Sequence, residues 1–183
     1  MQVQELSLKG LLLLHPKVFH DDRGYFFEAF NEAKLRNALG TQHQFVQDNE
    51  SRSKAKVLRG LHFQLPPHAQ GKLVRVVKGA ALDVVVDIRP DSPTYVKPEK
   101  VQLDDENKLM LWVPPGFAHG FLSLADDTAF VYKCTAYYDQ PSERTIRWND
   151  PDLGIDWGIA DPIMSRKDRE GQAFQDNWAA PTV

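Results

Sequence analysis

Apolar and polar residues alternate with a period near two through the middle of the chain, in short runs separated by Gly, Pro and Asp. The runs are QFVQDN (44–49), VLRGLHFQ (57–64), KLVRVVKG (72–79), ALDVVVDIR (81–89), KPEKVQL (97–103), LMLWVP (109–114), HGFLSL (119–124) and TAFVYKCTAYY (128–138). A further pair, LLLLHPKVF and YFFEAF, precedes them. Short strand-like runs at this spacing, with turn residues between, predict an all-β antiparallel sandwich or barrel. Helical signals are confined to the ends. NEAKLRNALG (31–40) has Asn31 as an N-cap, Gly40 as a C-terminal stop, and Leu35 and Leu39 four apart. After Tyr138 the pattern gives way to loop and then to DPIMSRKDREGQAF (161–174), a short helix or turn that Asp161 or Ser165 can cap.

The period of two assigns side chains to faces. Phe45, Gln47 and Asn49 share one, Lys72 goes with Val74 and Val76, His119 with Phe121, and Tyr132 with Phe130 and Cys134. Several strands thus each place one polar or titratable group among apolar neighbours. That is the pattern of a concave, mostly apolar site with a few placed polar groups. Arg59 and His62 fall on opposite faces of a regular strand and reach one cavity only if Gly60 marks a bulge or twist. Each residue also has an ordinary role: histidine as a hydrogen-bonded structural group, Tyr132 as a core aromatic, Lys72 as a snorkelling surface lysine. Cys134 reads as a small buried hydrophobe with no reactive role.

Composition narrows the classes. The 183 residues fit one domain, 1–183, and the 42% apolar and 26% charged shares are those of a globule with a sizeable core. A net charge of −3 argues against nucleic acid as the main partner. The longest apolar run, residues 11–14, is too short for a membrane span or a signal-peptide core, and a single cysteine allows no internal disulfide. A cytoplasmic protein is expected. No repeat or low-complexity tract divides the chain.

Two site types can be tested on motifs. VPPGFAH (113–119) resembles the second motif of the cupin jelly rolls. Where metal-binding cupins carry His-x-His and then Glu, this chain has His62, Gln64, and His68-Ala69 near the Glu position; Ser123 stands for the usual asparagine. A His62, His68, His119 ligand set is conceivable, but the departures predict a metal-free cupin. Phosphate motifs are negative: around Gly71-Lys72 a P-loop would need glycine where Pro66 stands and Ser or Thr where Leu73 stands, and no GxGxxG opens a βαβ unit. A nucleotide here would be held by arginine and lysine directly.

Taken together, PKVFHDDRGYFFE (16–28), FVQDN, VLRGLHFQ, QGKLVRVVKG, PPGFAHGF, YKCTAYY, IRWNDPDLGIDW (146–157) and SRKD (165–168) closely resemble the dTDP-4-dehydrorhamnose 3,5-epimerases. The matching segments run in order over most of the chain. The resemblance implies a cupin-type jelly-roll β-barrel with short helical ends, a homodimer without cofactor or metal, and a dTDP-linked 4-keto-6-deoxy sugar as substrate. It implies double epimerisation in dTDP-L-rhamnose and cell-surface polysaccharide biosynthesis. It implies His62 as base paired with Asp168, Tyr132 as acid on the other side of the sugar, and Lys72 beside the C4 keto oxygen. Arg23, Glu28, Gln47, Asp48, Asn49, Arg59, His119, Glu143 and Lys167 would contact the nucleotide sugar, Tyr138 would stack on thymine, and Phe19 and Phe26 would line the same groove.

These residue types suit that chemistry. A carbonyl at C4 acidifies the C–H bonds at C3 and C5, and removing either proton leaves an enolate whose charge a buried cation stabilises. Histidine titrates near the working pH, a carboxylate fixes its tautomer, and a phenol can reprotonate from the opposite face. Three rivals remain at this level: a mono-epimerase or ketoisomerase on the same substrate class, a metal-dependent cupin oxygenase, and a non-catalytic sugar-binding jelly roll.

Overall fold

The structure is a computed structural model that describes residues 1–39 and 44–174; the Gly40 helix stop lies outside them. Its strands are β1 (Gln2–Glu5), β2 (Leu12–His15), β3 (Val18–Asp21), β4 (Gly24–Phe27), β5 (Gln47–Ser53), β6 (Leu58–Gln64), β7 (Lys72–Lys78), β8 (Ala80–Asp87), β9 (Pro98–Asp104), β10 (Met110–Val113), β11 (Phe117–Ser123), β12 (Thr128–Cys134) and β13 (Glu143–Thr145). They form a six-stranded sheet, β1-β2-β10-β7-β12-β5, a five-stranded sheet, β13-β6-β11-β8-β9, and a separate β3–β4 hairpin. All strand pairs are antiparallel. This is the expected all-β jelly roll. The eight central runs are all strands, β1 and β13 were not anticipated, and the first apolar run breaks at Pro16 into β2 and β3.

Both faces of the central strands are covered, which is why apolar runs such as MLWV are continuous rather than alternating. Between the sheets lie Leu13, Val74, Val76, Val85, Leu111, Val113, Phe117, Phe121 and Phe130. Outside the five-stranded sheet, Leu58, Leu61, Phe63, Val84, Val86 and Leu122 pack under the C-terminal segment through Ile146, Leu153 and Trp157. Outside the six-stranded sheet, Leu14, Leu73, Met110 and Trp112 pack against Leu35 of helix α1 (Glu32–Leu39). Asn31 caps α1 as expected, its Oδ1 accepting from the Lys34 backbone N–H at 3.1 Å. Phe45 departs from expectation. It precedes β5, so its side chain is free of the strand parity and packs outside, edge-on to Trp112 at 5.9 Å between centroids.

Parity along β6 is set by one extra residue. His119 of β11 faces His62, while Phe121, two residues on, faces Arg59, three residues back. The bulge lies at Gly60–Leu61, with Gly60 at φ +121°. It leaves Leu58, Leu61 and Phe63 on the outer face and puts Arg59, His62 and Gln64 on the inner one. The strand therefore takes the course that a shared cavity for Arg59 and His62 required.

A Cβ on residue 60 would lie 2.6 Å from Gly120 Cα and 2.8 Å from the His119 carbonyl oxygen, both backbone atoms. Gly24, at φ +125°, has nothing within 4 Å of the same position. Gly24→Ala should therefore lose only the backbone preference, about 1–2 kcal/mol. Gly60→Ala should lose roughly 2 kcal/mol more from the clash. Urea unfolding of the two variants checks this, and equal losses would show that the close approach carries no weight.

Candidate active site

The inner faces of the two sheets diverge at one end into a cavity of two lobes, about 540 and 230 Å³, which share His62, Lys72, Tyr132, Tyr138 and Glu143. The size suits a small-molecule site. β6 contributes Arg59 and His62, β11 His119, β7 Lys72, and β12 Tyr132. His62 thus comes from the five-stranded sheet and Tyr132 from the six-stranded one, so a ligand between the sheets has one on each side. The parallel rings of Phe121 and Phe130, 4.1 Å apart, also line the larger lobe and join it to the inter-sheet core.

His62 Nε2 lies 2.5 Å from Asp168 Oδ1. Asp168 is placed by helix α2 (Arg166–Arg169), which Ser165 caps. The Ser165 hydroxyl accepts from the Asp168 backbone N–H at 3.1 Å and donates to Asp168 Oδ2 at 2.7 Å. Of the two cap candidates, Ser165 is the one at the helix start. Burial holds the His62 imidazole below its ordinary pKa, against the upward pull of Asp168, with Lys167 and Lys72 adding to the lowering. The ring is therefore neutral near pH 7, donating Nε2–H to Asp168 and leaving Nδ1 able to take a proton. Burial pushes the Asp168 carboxyl up, but its hydrogen bonds to His62 and Ser165 outweigh this and keep it ionised.

Lys72 is enclosed, and burial lowers its pKa against the opposing pull of the Asp83 and Glu143 carboxylates. Burial raises Tyr132, with Arg59 pulling the other way, so the phenol is protonated. Cys134 is a buried free thiol whose pKa burial raises, consistent with an unreactive role. A second imidazole–carboxylate pair stands beside the first: His119 Nε2 lies 3.1 and 2.9 Å from the oxygens of Asp83, which is fully buried on β8. Asp83 escaped the sequence reading. Its signal was an acid inside the apolar run ALDVVV (81–86), on the face of Ala81 and Val85.

At the mouth, Glu143 accepts from Lys167 Nζ at 2.8 Å and from the Tyr138 hydroxyl at 3.1 Å. Gln47 Oε1 accepts the Tyr138 backbone N–H at 2.8 Å. The Gln64 amide donates to the carbonyls of His68 and Tyr137 and accepts from the Asp139 backbone N–H. Position 64, a metal ligand in other cupins by the motif comparison, here fastens the Tyr138 segment. His68 turns to Asp139 at 4.0 Å. With His62 on Asp168 and His119 on Asp83, the three histidines do not converge, and no metal-ligating group of three is found among the described residues.

Other named residues lie elsewhere. Asp48 faces outward to Lys133 at 2.8 Å. Phe19, Phe26 and Glu28 border a different pocket near α1, Glu28 binding Lys34 at 2.7 Å. Arg23 is exposed and paired with Asp21. Phe26 is 70% exposed, a large apolar surface on an isolated hairpin.

The family profile described as dTDP-4-dehydrorhamnose 3,5-epimerase matches residues 5–176. A curated relative of that description from Shigella flexneri is 49% identical over 96% of this chain and 97% of its own length. Among solved structures, dTDP-4-dehydrorhamnose 3,5-epimerase from Elizabethkingia anophelis superposes with a TM-score of 0.92 at 46% identity, covering 96% of this chain and 97% of that one. The dTDP-6-deoxy-D-glucose-3,5-epimerase from Legionella pneumophila, in complex with dTDP-4-keto-L-rhamnose, does so with a TM-score of 0.90 at 43% identity, covering 94% and 92%.

In an NMR titration the His62 imidazole should change protonation below the ordinary histidine value. Because Asp168 pulls that pKa upward, Asp168→Asn should move it lower still. A His62 midpoint above the ordinary value, or a rise in the variant, would contradict the burial argument.

Proposed function

The chain belongs to the dTDP-4-dehydrorhamnose 3,5-epimerase family of isomerases, and from that membership and the cavity we propose that it inverts C3 and C5 of dTDP-4-dehydro-6-deoxy-D-glucose. The product is dTDP-4-dehydro-L-rhamnose, and the place is dTDP-L-rhamnose synthesis for cell-surface polysaccharide. The reading rests above all on one observation: His62 and Tyr132 stand on facing sheets, with Lys72 on the strand beside Tyr132.

His62 Nδ1 removes the proton from C3 or C5, and Asp168 stabilises the imidazolium that forms. Lys72 places its positive charge at the C4 oxygen, where the enolate charge collects. Tyr132 returns a proton from the opposite face, and the nearby Arg59 charge favours the phenolate left behind. His119, held by Asp83, lines the same lobe as a sugar contact. Tyr138 stacks on thymine at the mouth. The positive charge of Lys72 serves the enolate without a metal.

The active unit is a homodimer of this single domain, in which the β3–β4 hairpin reaches the partner's cavity. Support comes from placement: Phe19, Arg23, Phe26 and Glu28 lie outside the cavity of their own chain, on an exposed hairpin. Mixing the inactive variants His62→Ala and Arg23→Ala should then restore activity. One of the two sites in each heterodimer would combine a native His62 with a native Arg23. If the mixture stayed as inactive as its parts, the hairpin would serve its own barrel.

The overall reading is checked by NMR of the 4-keto substrate in D2O. Wild-type protein should exchange and invert at both carbons, whereas exchange at one only would make it a mono-epimerase. His62→Ala should lose at least roughly a hundredfold in turnover. Tyr132→Phe should still exchange deuterium but form much less L-sugar. Equal loss of exchange and inversion in Tyr132→Phe would move Tyr132 to a binding role.

A further inference from the structure

Strand β5 presents four polar side chains inward, Gln47, Asn49, Ser51 and Ser53, at every second position. Three are engaged within the protein. Gln47 holds the Tyr138 backbone and donates to Asn49 Oδ1 at 3.0 Å. Asn49 donates to Cys134 Sγ at 3.6 Å, and the Ser53 hydroxyl accepts from Arg59 Nε at 3.2 Å. Ser51 alone is different. Its Oγ is buried without a hydrogen-bond partner, the only such side-chain atom found among the described residues.

No protein group among the described residues pairs this hydroxyl, so in a cavity wall it is a group that a ligand hydroxyl can pair. Ser51 faces Phe130 across the β5–β12 pair. It lines the larger lobe with Arg59, His62, Lys72, His119 and Tyr132, and is absent from the lining of the smaller lobe with Gln47, Gln64 and Gln70. Both lobes border His62, Lys72 and Tyr132, but only the larger one also has Arg59, His119 and the base's partner Asp168, so it is the sugar rather than the nucleotide that lies against Ser51.

We propose that Ser51 is a specificity-determining residue whose hydroxyl hydrogen-bonds a ring hydroxyl, on C2 or C3, of the bound 4-keto sugar. The inference rests on the epimerase reading above. Ser51 takes no part in proton transfer. It favours hexoses that carry the hydroxyl over deoxy analogues, because a site built to pair a hydroxyl is left unpaired by a substrate without one.

The test is a cycle of two proteins and three substrates. Wild type and Ser51→Ala are assayed by deuterium exchange at C5, a carbon common to dTDP-4-keto-6-deoxyglucose and its 2-deoxy and 3-deoxy analogues. Ser51→Ala should lower kcat/KM roughly five- to tenfold on the full substrate and less than about twofold on one of the analogues. Binding of dTDP alone should stay within about twofold, and the melting temperature should not fall, since the variant removes an unpaired hydroxyl. Equal losses on all three substrates, no loss on the full substrate, a parallel loss of dTDP affinity or a lowered melting temperature would each overturn the proposal. Failure of the wild type to exchange any of the three would instead overturn the epimerase reading, and this inference with it.

Discussion

Placing two polar side chains three residues apart on one face of a strand conflicts with the pleat, and the resolution of that conflict at Gly60 governs the whole site. With a regular β6, either Arg59 or His62 would enter the outer apolar layer, and Leu61 or Leu58 would enter the cavity. The extra residue removes the conflict without disturbing either layer. Leu58, Leu61 and Phe63 still pack under Ile146 and Trp157, while Arg59, His62 and Gln64 face inward. The arrangement needs β11 to come very close, which only Gly120 opposite Gly60 permits.

Within the cavity, burial and pairing act against each other at His62 and Asp168. Both histidines are matched to carboxylates, Asp168 and Asp83, and both carboxylates sit deeper than the rings they hold. Burial keeps His62 neutral and Tyr132 protonated, which is the pair of states that base and acid require before reaction. At Lys72 the balance leans on burial: it is a cation whose charge burial weakens, with the carboxylates of Asp83 and Glu143 opposing at some distance.

Much of this was legible in the sequence because a period of two is a strong constraint when both faces of a strand meet something defined. The inward sets around Lys72, His119 and Tyr132 followed from it, and Gly60 announced the bulge. Phe45 was misplaced because the alternation was extended two residues beyond the strand. β13 was missed because three residues, Glu143–Thr145, carry too little pattern, although they bring Glu143 to the cavity mouth. Asp83 and Ser51 look ordinary in a string; their burial, and what each does or does not bond, exist only after β8 and β5 have found their neighbours. The remoteness of the β3–β4 hairpin from the cavity is likewise a matter of tertiary placement, which residue spacing does not encode.

The His62–Asp168 pair joins residues 106 positions apart. On a ribosome, the strand bearing His62 leaves the exit tunnel long before α2 is synthesised. The sheets can pair in the meantime, since β5 to β12 are complete by Cys134. Yet the outer face of the five-stranded sheet stays bare until Ile146, Leu153 and Trp157 arrive. The same late segment that covers that face delivers the carboxylate. Every nascent or truncated chain that lacks it therefore exposes a sticky sheet and carries an imidazole without its partner, so the chain gains chemical competence and loses its tendency to associate in a single late event.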